Sequence, residues 1–328
     1  MKKQGIQMLR VLACLSVFAV HFGQRLGLNG PVRQVTDLGQ YGVQLFFVIC
    51  GYLACVSLEK STDDSFWSST LKYYKRRMVR ILPLYYFCIC FFFVTEVFLW
   101  KDVPADSYGL YWFRYLFFLN AVFPSEGYFW GNLGITWTIP VFVFFYAVFP
   151  FVHRVVNSSR KATVAFVISV ALALLQKTCF HGYFSAFASL SKFFLGICVY
   201  YSEKDGTKTA LILGSLVAAC SVFDFIGPAT GISGVFAVLL YAVNNLSLPR
   251  PFQAVVQTID QYSFDIYLCH GIVFCGILDK ISFSRPVRLL IALLGTAILS
   301  LAAHFFIEKP CQKLLRSGEK NKESGSRP

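Results

Sequence analysis

Apolar residues run along this chain in long unbroken blocks, neither alternating nor confined to a single stripe. Blocks at roughly 6–23, 42–58, 81–100, 133–151, 163–177, 187–201, 210–226, 231–243, 264–279 and 287–307 are separated by charged or Gly/Pro-containing breaks. Most approach the ~20 residues that a helix needs to cross a hydrocarbon layer roughly 30 Å thick. Lipid offers backbone groups no hydrogen-bond partners, so a crossing segment must satisfy its own, and uninterrupted runs exclude the alternating pattern of an outer-membrane barrel. The expected fold is therefore an all-α, polytopic integral membrane bundle of about ten transmembrane helices. A shorter run at 110–123 is assigned to an outer loop.

Composition agrees. Of 328 residues, 56% are hydrophobic and only 14% charged, too apolar for an ordinary soluble domain. The net charge of +13 raises the question of nucleic acid. The cations, however, fall in short clusters between apolar blocks: Lys72/Lys75/Arg76/Arg77/Arg80, Arg154/Arg160/Lys161, Lys204/Lys208 and Lys309/Lys313/Arg316. That is a positive-inside pattern and not a continuous reading surface, so no nucleic-acid partner is expected. It puts the stretches 59–80, 153–162, 202–209 and 244–262 on the cytoplasmic side and makes both termini cytoplasmic. The eleven cysteines lie mostly inside apolar blocks without CxxC or zinc-like spacing, as buried small hydrophobes would. The first block lacks a small-residue cleavage site before Gln24 and is read as a retained span. One membrane domain over 1–310 is expected, followed by a polar, disordered cytoplasmic tail over 311–328.

Ionisable groups within or beside the blocks carry the candidate chemistry, because charge in a bilayer is costly. The first block holds Arg10 and His21, eleven residues or about three helical turns apart, hence on one face roughly 16 Å apart in depth. In KYYKRRMVRILPLYY, Arg77 and Arg80 lie one turn apart, beside Arg76 and before Pro83. That cluster has two readings, a topology signal in contact with anionic lipid, or a site for a phosphorylated cytoplasmic ligand, which guanidinium groups grip in a two-pronged fashion. SFDIYLCH places Asp265, Tyr267 and His270 inside or at the mouth of the ninth block, and FFIEKP ends the tenth with Glu308, Lys309 and Pro310.

These residues resemble the acyltransferase 3 family, the ten-helix membrane O-acyltransferases that modify bacterial surface polysaccharides. The carriers, in order, are the Arg-x10-His pair in LRVLACLSVFAVHF, GVQLFFVICGYL, RRMVRILPLYY, WTIPVFVFFYAVFP, YSFDIYLCH and IEKP. The resemblance implies a multi-pass enzyme of the bacterial cytoplasmic (inner) membrane moving an acyl group, acetyl by expectation, from cytoplasmic acyl-CoA to a hydroxyl of a surface or lipid-linked glycan. It implies catalytic roles for His21 and Arg10 and acyl-CoA contacts for Arg76, Arg77 and Arg80. Supporting candidates are Trp137, Tyr267, His270 and Glu308. Acyl-CoA enters as co-substrate, with no bound cofactor or metal expected.

Two positions depart from the family pattern. Where many relatives carry an acid after the tryptophan of the fourth span, this chain has Phe142 and Val143 after Trp137, and Cys50 stands where a serine is usual. Glu126, Asp102 and Asp106 precede that span, with nothing in the sequence assigning them to the missing role. The alternative readings are a glycan or lipid transporter, and a catalytically altered accessory protein. Outer-loop aromatics such as Tyr108, Tyr111, Trp112, Tyr128 and Trp130 suit an interfacial belt better than sugar stacking.

Overall fold

A computed structural model describes residues 3–60, 65–101, 108–122, 131–180, 185–223 and 226–314. Among them are helices and turns but no strand. The helices are α1 (Gln4–Arg25), α2 (Gly30–Asp37), α3 (Gly42–Glu59), α4 (Phe66–Val94), α5 (Tyr108–Leu116), α6 (Thr138–Val155) and α7 (Ser159–Phe180). They continue with α8 (Ala186–Lys204), α9 (Thr209–Val222), α10 (Pro228–Val243), α11 (Arg250–Gly271), α12 (Arg285–Leu290) and α13 (Thr296–Ala303). Wider π-type turns prolong α4 to Trp100 and α11 to Leu278, and join α12 and α13 into one rod. Each of the ten predicted blocks falls on a helix.

Among the described residues, five helical stretches are long and apolar enough by themselves to cross a membrane: Gln4–Arg25, Gly30–Glu59, Phe66–Trp100, Leu133–Val155 and Arg285–Leu314. Helices α9 and α10 are apolar but shorter. The outward faces carry exposed Leu12, Val167, Ile212, Leu216, Leu294 and Ile298, while Gln7, Asp260, Asp265, His270 and Glu308 are buried within. Apolar side chains on the outside, with the ionisable ones turned inward among a hydrophobic core, are the arrangement for a protein whose solvent is hydrocarbon. The chain is a multi-pass membrane bundle.

Two predicted connections are helix instead. The basic stretch expected in a cytoplasmic loop over 59–80 belongs largely to α4, whose start is capped by the Ser65 hydroxyl accepting from the Ser68 N–H at 3.1 Å. Most of the predicted loop 244–262 is the first half of α11, opened by Pro251 in the first turn. Hydropathy detects the lipid-spanning part of a helix and misses its polar, protein-covered extension. SFDIYLCH consequently lies inside a helix, the first of its two expected placements.

Helix α3 is the axis of the bundle, packed against α1, α6, α8 and α10. Its approach to α8 is backbone-to-backbone: a Cβ on Gly51 would collide with the Phe193 carbonyl, and one on Gly196 with the Val48 carbonyl. Without a hydrophobic force between helices in lipid, such small-residue contacts supply the packing. At one end of the bundle Lys3 meets Glu203 at 3.0 Å, the Tyr52 hydroxyl donates to Glu203 at 2.8 Å, and Lys204 meets Glu59 at 2.6 Å. Beside this basic end, the loop residue Asp205 accepts from the Ser159 backbone N–H at 2.7 Å and hydroxyl at 2.6 Å, which holds its carboxyl below the usual range.

Helices α1 and α11 lie parallel, so that pairs advance together: Arg10 with Asp260, Cys14 with Ser263, His21 with His270, Arg25 with Cys275. This is the direction that the predicted topology gives to the first and ninth blocks.

Candidate active site

A cavity of about 450 Å³ opens among α1, α3, α4, α6 and α11. Lys60, Arg76, Arg77 and Arg80 gather in its walls along with Arg10, and Phe46, Leu53, Phe142, Phe264 and Tyr267 supply an apolar lining. Four of the predicted residues, Arg10, Arg76, Arg77 and Arg80, therefore share one cavity, with Tyr267 as a fifth. Helix α4 makes this possible, since its continuous turns put Arg76, Arg77 and Arg80 on one side.

The cations are not equivalent. Arg77 donates to the Leu53 carbonyl at 2.7 Å, and its guanidinium lies over the rings of Tyr146 (4.8 Å) and Tyr73 (5.6 Å). Arg80 reaches Glu308, Nε to Oε1 at 3.6 Å. Arg10 is held by Asp260: its Nε donates to Oδ1 at 2.7 Å, its second nitrogen to Oδ2, and Gln7 donates to Oδ2 at 3.0 Å. This two-pronged clamp fixes one face of Arg10 at the cavity wall.

His21 does not line the cavity. Its ring lies 5.3 Å from that of His270, and its Nδ1 is 3.2 Å from Gln24 Oε1. His270 in turn lies 5.9 Å from Tyr267, whose hydroxyl shares a 2.6 Å hydrogen bond with Thr138. A line of three rings, Tyr267, His270 and His21, thus leads away from the cavity towards the end of the bundle opposite the cations. Trp137 packs against Phe47 at 6.0 Å and stands aside from this line.

Glu308 belongs to a further cluster. His304 Nδ1 is 2.8 Å from Glu308 Oε2 and 3.1 Å from Asp265 Oδ2, and Gln312 donates to Glu308 at 2.8 Å. The cluster backs Arg80 from behind. Its donor atoms are close enough together to hold a metal ion, yet as it stands the histidine bridges the carboxylates. Phe142, at the position where an acid is usual, packs edge-on against Phe47 (5.1 Å) and Phe193 (5.8 Å). Its surroundings are aromatic, and Glu126, Asp102 and Asp106 lie outside the described residues. So do Tyr128 and Trp130, and the tail beyond Leu314.

Sequence reasoning missed Asp260 and His304. Asp260 lies in a stretch read as a loop. His304 stands four residues before Glu308, a spacing that puts both on one helical face and was open to detection.

Fold and site together define a membrane-embedded helical protein with a cationic cavity at one end and, beyond it, a histidine pair of which His270 is buried. Residues 3–305 match the family profile described as an acyltransferase domain, and the chain belongs to that family, acyltransferase 3. It is an acyltransferase. Among curated proteins it is similar to the exopolysaccharide production protein ExoZ of Rhizobium meliloti (strain 1021), 25% identical over 315 residues, covering 86% of this chain and 91% of that protein. It is also similar to the ORF330 protein of Acidianus two-tailed virus, named as a candidate acetyltransferase, 28% identical over 214 residues, covering 62% of this chain and 59% of the relative. No solved structure matches it.

Proposed function

We propose that this enzyme moves an acyl group, acetyl in the simplest case, from cytoplasmic acyl-CoA to a hydroxyl of an exopolysaccharide or other surface or lipid-linked glycan, within a bacterial cytoplasmic membrane. Both termini and the basic end of the bundle face the cytoplasm in this reading. One observation carries it: a single cavity combines a cluster of cations with an apolar lining, which suits a donor that is polyanionic at its nucleotide end and slim and uncharged along its pantetheine arm. Arg76, Arg80 and Lys60 would receive phosphates, and Leu53, Phe142 and Tyr267 would flank the arm and thioester. The name of the Rhizobium relative supports a polysaccharide acceptor.

His21 acts as the base. Donation of its Nδ1–H to Gln24 leaves the Nε2 lone pair free. Nε2 takes the proton of the acceptor hydroxyl, the oxygen attacks the thioester carbonyl, and the C–S bond breaks to release CoA. General-base help of this kind is worth about 10²- to 10⁴-fold. Seating the reaction among helices keeps bulk water from the thioester. Arg10, clamped by Asp260 in the cavity wall about three helical turns from His21, adds to the positive field that holds the polyanionic donor.

Whole-cell glycan analysis by mass spectrometry tests the proposal, in a deletion strain complemented with wild type, His21→Ala or Arg76→Ala/Arg80→Ala. Loss of an alkali-labile acyl mass in the deletion and in His21→Ala, restored by wild type, is expected. Unchanged acylation with an altered amount of exported glycan would favour export instead.

A further inference from the structure

In the reading above the donor arrives in a cavity that His21 does not line. Among the described residues only Tyr267 of the three-ring line borders the cavity where the donor arrives, whereas His21 is two ring contacts away. A proton taken by His21 must still reach the thiolate released at the cavity if CoA is to leave as a neutral thiol. The intervening residue is another histidine, and its hydrogen bonding is distinctive.

His270 Nδ1 lies 3.2 Å from the Ile266 carbonyl, which only accepts, so that nitrogen carries a hydrogen and donates it. In the neutral ring Nε2 is then a lone-pair acceptor. It is fully buried with no hydrogen-bond partner. Buried polar atoms are nearly always paired, and an orphan asks for an explanation. A packing role does not supply one: Phe18, Phe274, Tyr267 and His21 surround the ring at 5.3–6.4 Å, a setting in which a phenyl ring would leave nothing unsatisfied.

We propose that His270 is a second catalytic histidine, whose Nε2 accepts the proton from His21 and delivers it to the sulfur of the departing CoA. The inference rests on the acyl-CoA reading above. The step balances. The acceptor O–H bond breaks and its proton passes through His21 Nε2 to His270 Nε2. The ester C–O bond forms as the thioester C–S bond breaks. The sulfur takes the proton from His270, and both rings end neutral. No oxidant, metal or further reactant enters. The Tyr267–Thr138 hydroxyl pair forms the polar edge of the site where the sulfur leaves.

The test uses full-length protein in native membranes of the producing strain, with radiolabelled acetyl-CoA as donor and the endogenous membrane glycans as acceptor. His270→Gln retains a polar group near Nε2 but cannot carry a proton, and His270→Asn retains the Nδ1-side donor but lacks Nε2. Both are expected to lower kcat by roughly 10²-fold, the scale of lost acid–base help, while KM and equilibrium binding of acetyl-CoA stay within about twofold. The alkaline limb of the kcat profile should also shift, which a structural defect would not produce. Wild-type kcat in either variant overturns the proposal, as does loss of acetyl-CoA binding in parallel with activity. Wild-type membranes that bind no acetyl-CoA would instead overturn the donor reading, and this inference with it.

Discussion

Arg10 and Asp260 close a two-pronged ion pair across the parallel α1–α11 interface, with Gln7 as third partner of the carboxylate. The carboxylate is 3% exposed and the arginine 23%. Removing one partner leaves the other charge stranded in a low-dielectric interior, a loss of about 3–5 kcal/mol, whereas removing both can be nearly neutral. Asp260→Ala should therefore lower the thermal midpoint in detergent far more than Arg10→Met/Asp260→Leu does. Equal losses in the two proteins would show that the pair contributes little.

The α3–α8 crossing leaves no space for a methyl group. Gly51→Ala and Gly196→Ala each push a Cβ into a facing backbone carbonyl, and backbone, unlike a long side chain, cannot swing aside. Overpacking at a tight core typically costs about 1–3 kcal/mol, more where backbone must move. Size-exclusion profiles and thermal melts should show both variants destabilised, and Gly214→Ala, on the peripheral α9, less so.

Arg77 is gripped by geometry that a lysine cannot copy: a carbonyl on one side and two aromatic faces on the other. Arg77→Lys is expected to weaken donor binding about tenfold, the scale of ~1.4 kcal/mol, with little change in kcat. Calorimetric titration with acetyl-CoA checks this, and wild-type affinity would count against the acyl-CoA contact that the family resemblance implies for Arg77.

Phe142 invites a repair experiment with an unwelcome outcome. Phe142→Glu places a carboxylate against Phe47 and Phe193, in the wall of the cavity that also holds Arg10, Arg77 and Arg80. A carboxylate there offsets positive charge that would otherwise meet the donor's phosphates, so the variant should bind acetyl-CoA more weakly and be no more active than Phe142→Leu. A gain in transfer rate would show that the cavity still accommodates the acid's original role.

Asp205 gives a pH signature outside the membrane. Its carboxyl is held below the usual range by hydrogen bonds from Ser159, so the stabilisation is present above the unfolded carboxylate range and fades as pH falls through the lowered folded value. Asp205→Asn should thus destabilise at neutral pH and make little difference in strong acid, as read by thermal melts across pH.

The sequence made the lipid-facing architecture readable because hydrocarbon imposes a length and a composition on each crossing. It made Arg10, Arg76, Arg77 and Arg80 readable because charge beside an apolar block stands out, and all four do line one cavity. It did not disclose Asp260 as the partner of Arg10. Partners 250 residues apart leave no local spacing to read, and an acid in a polar stretch looks like loop. His304, by contrast, was legible from its i,i+4 relation to Glu308, but its second partner, Asp265, is 39 residues away on another helix. Tyr267 and His270 were visible as polar residues in an apolar run. Their alignment with His21 depends on the parallel register of α1 and α11, which only packing determines.

That register ties chemistry to the completion of synthesis. Helix α1 is made well before α11, so Arg10 and His21 enter the bilayer without their partners while the intervening helices are still being made. A chain whose translation stops before Arg250 has the cations of α4 and the first histidine but neither Tyr267 nor His270. On the proposed assignment such interrupted products are chemically silent and spend none of the cell's acyl donors.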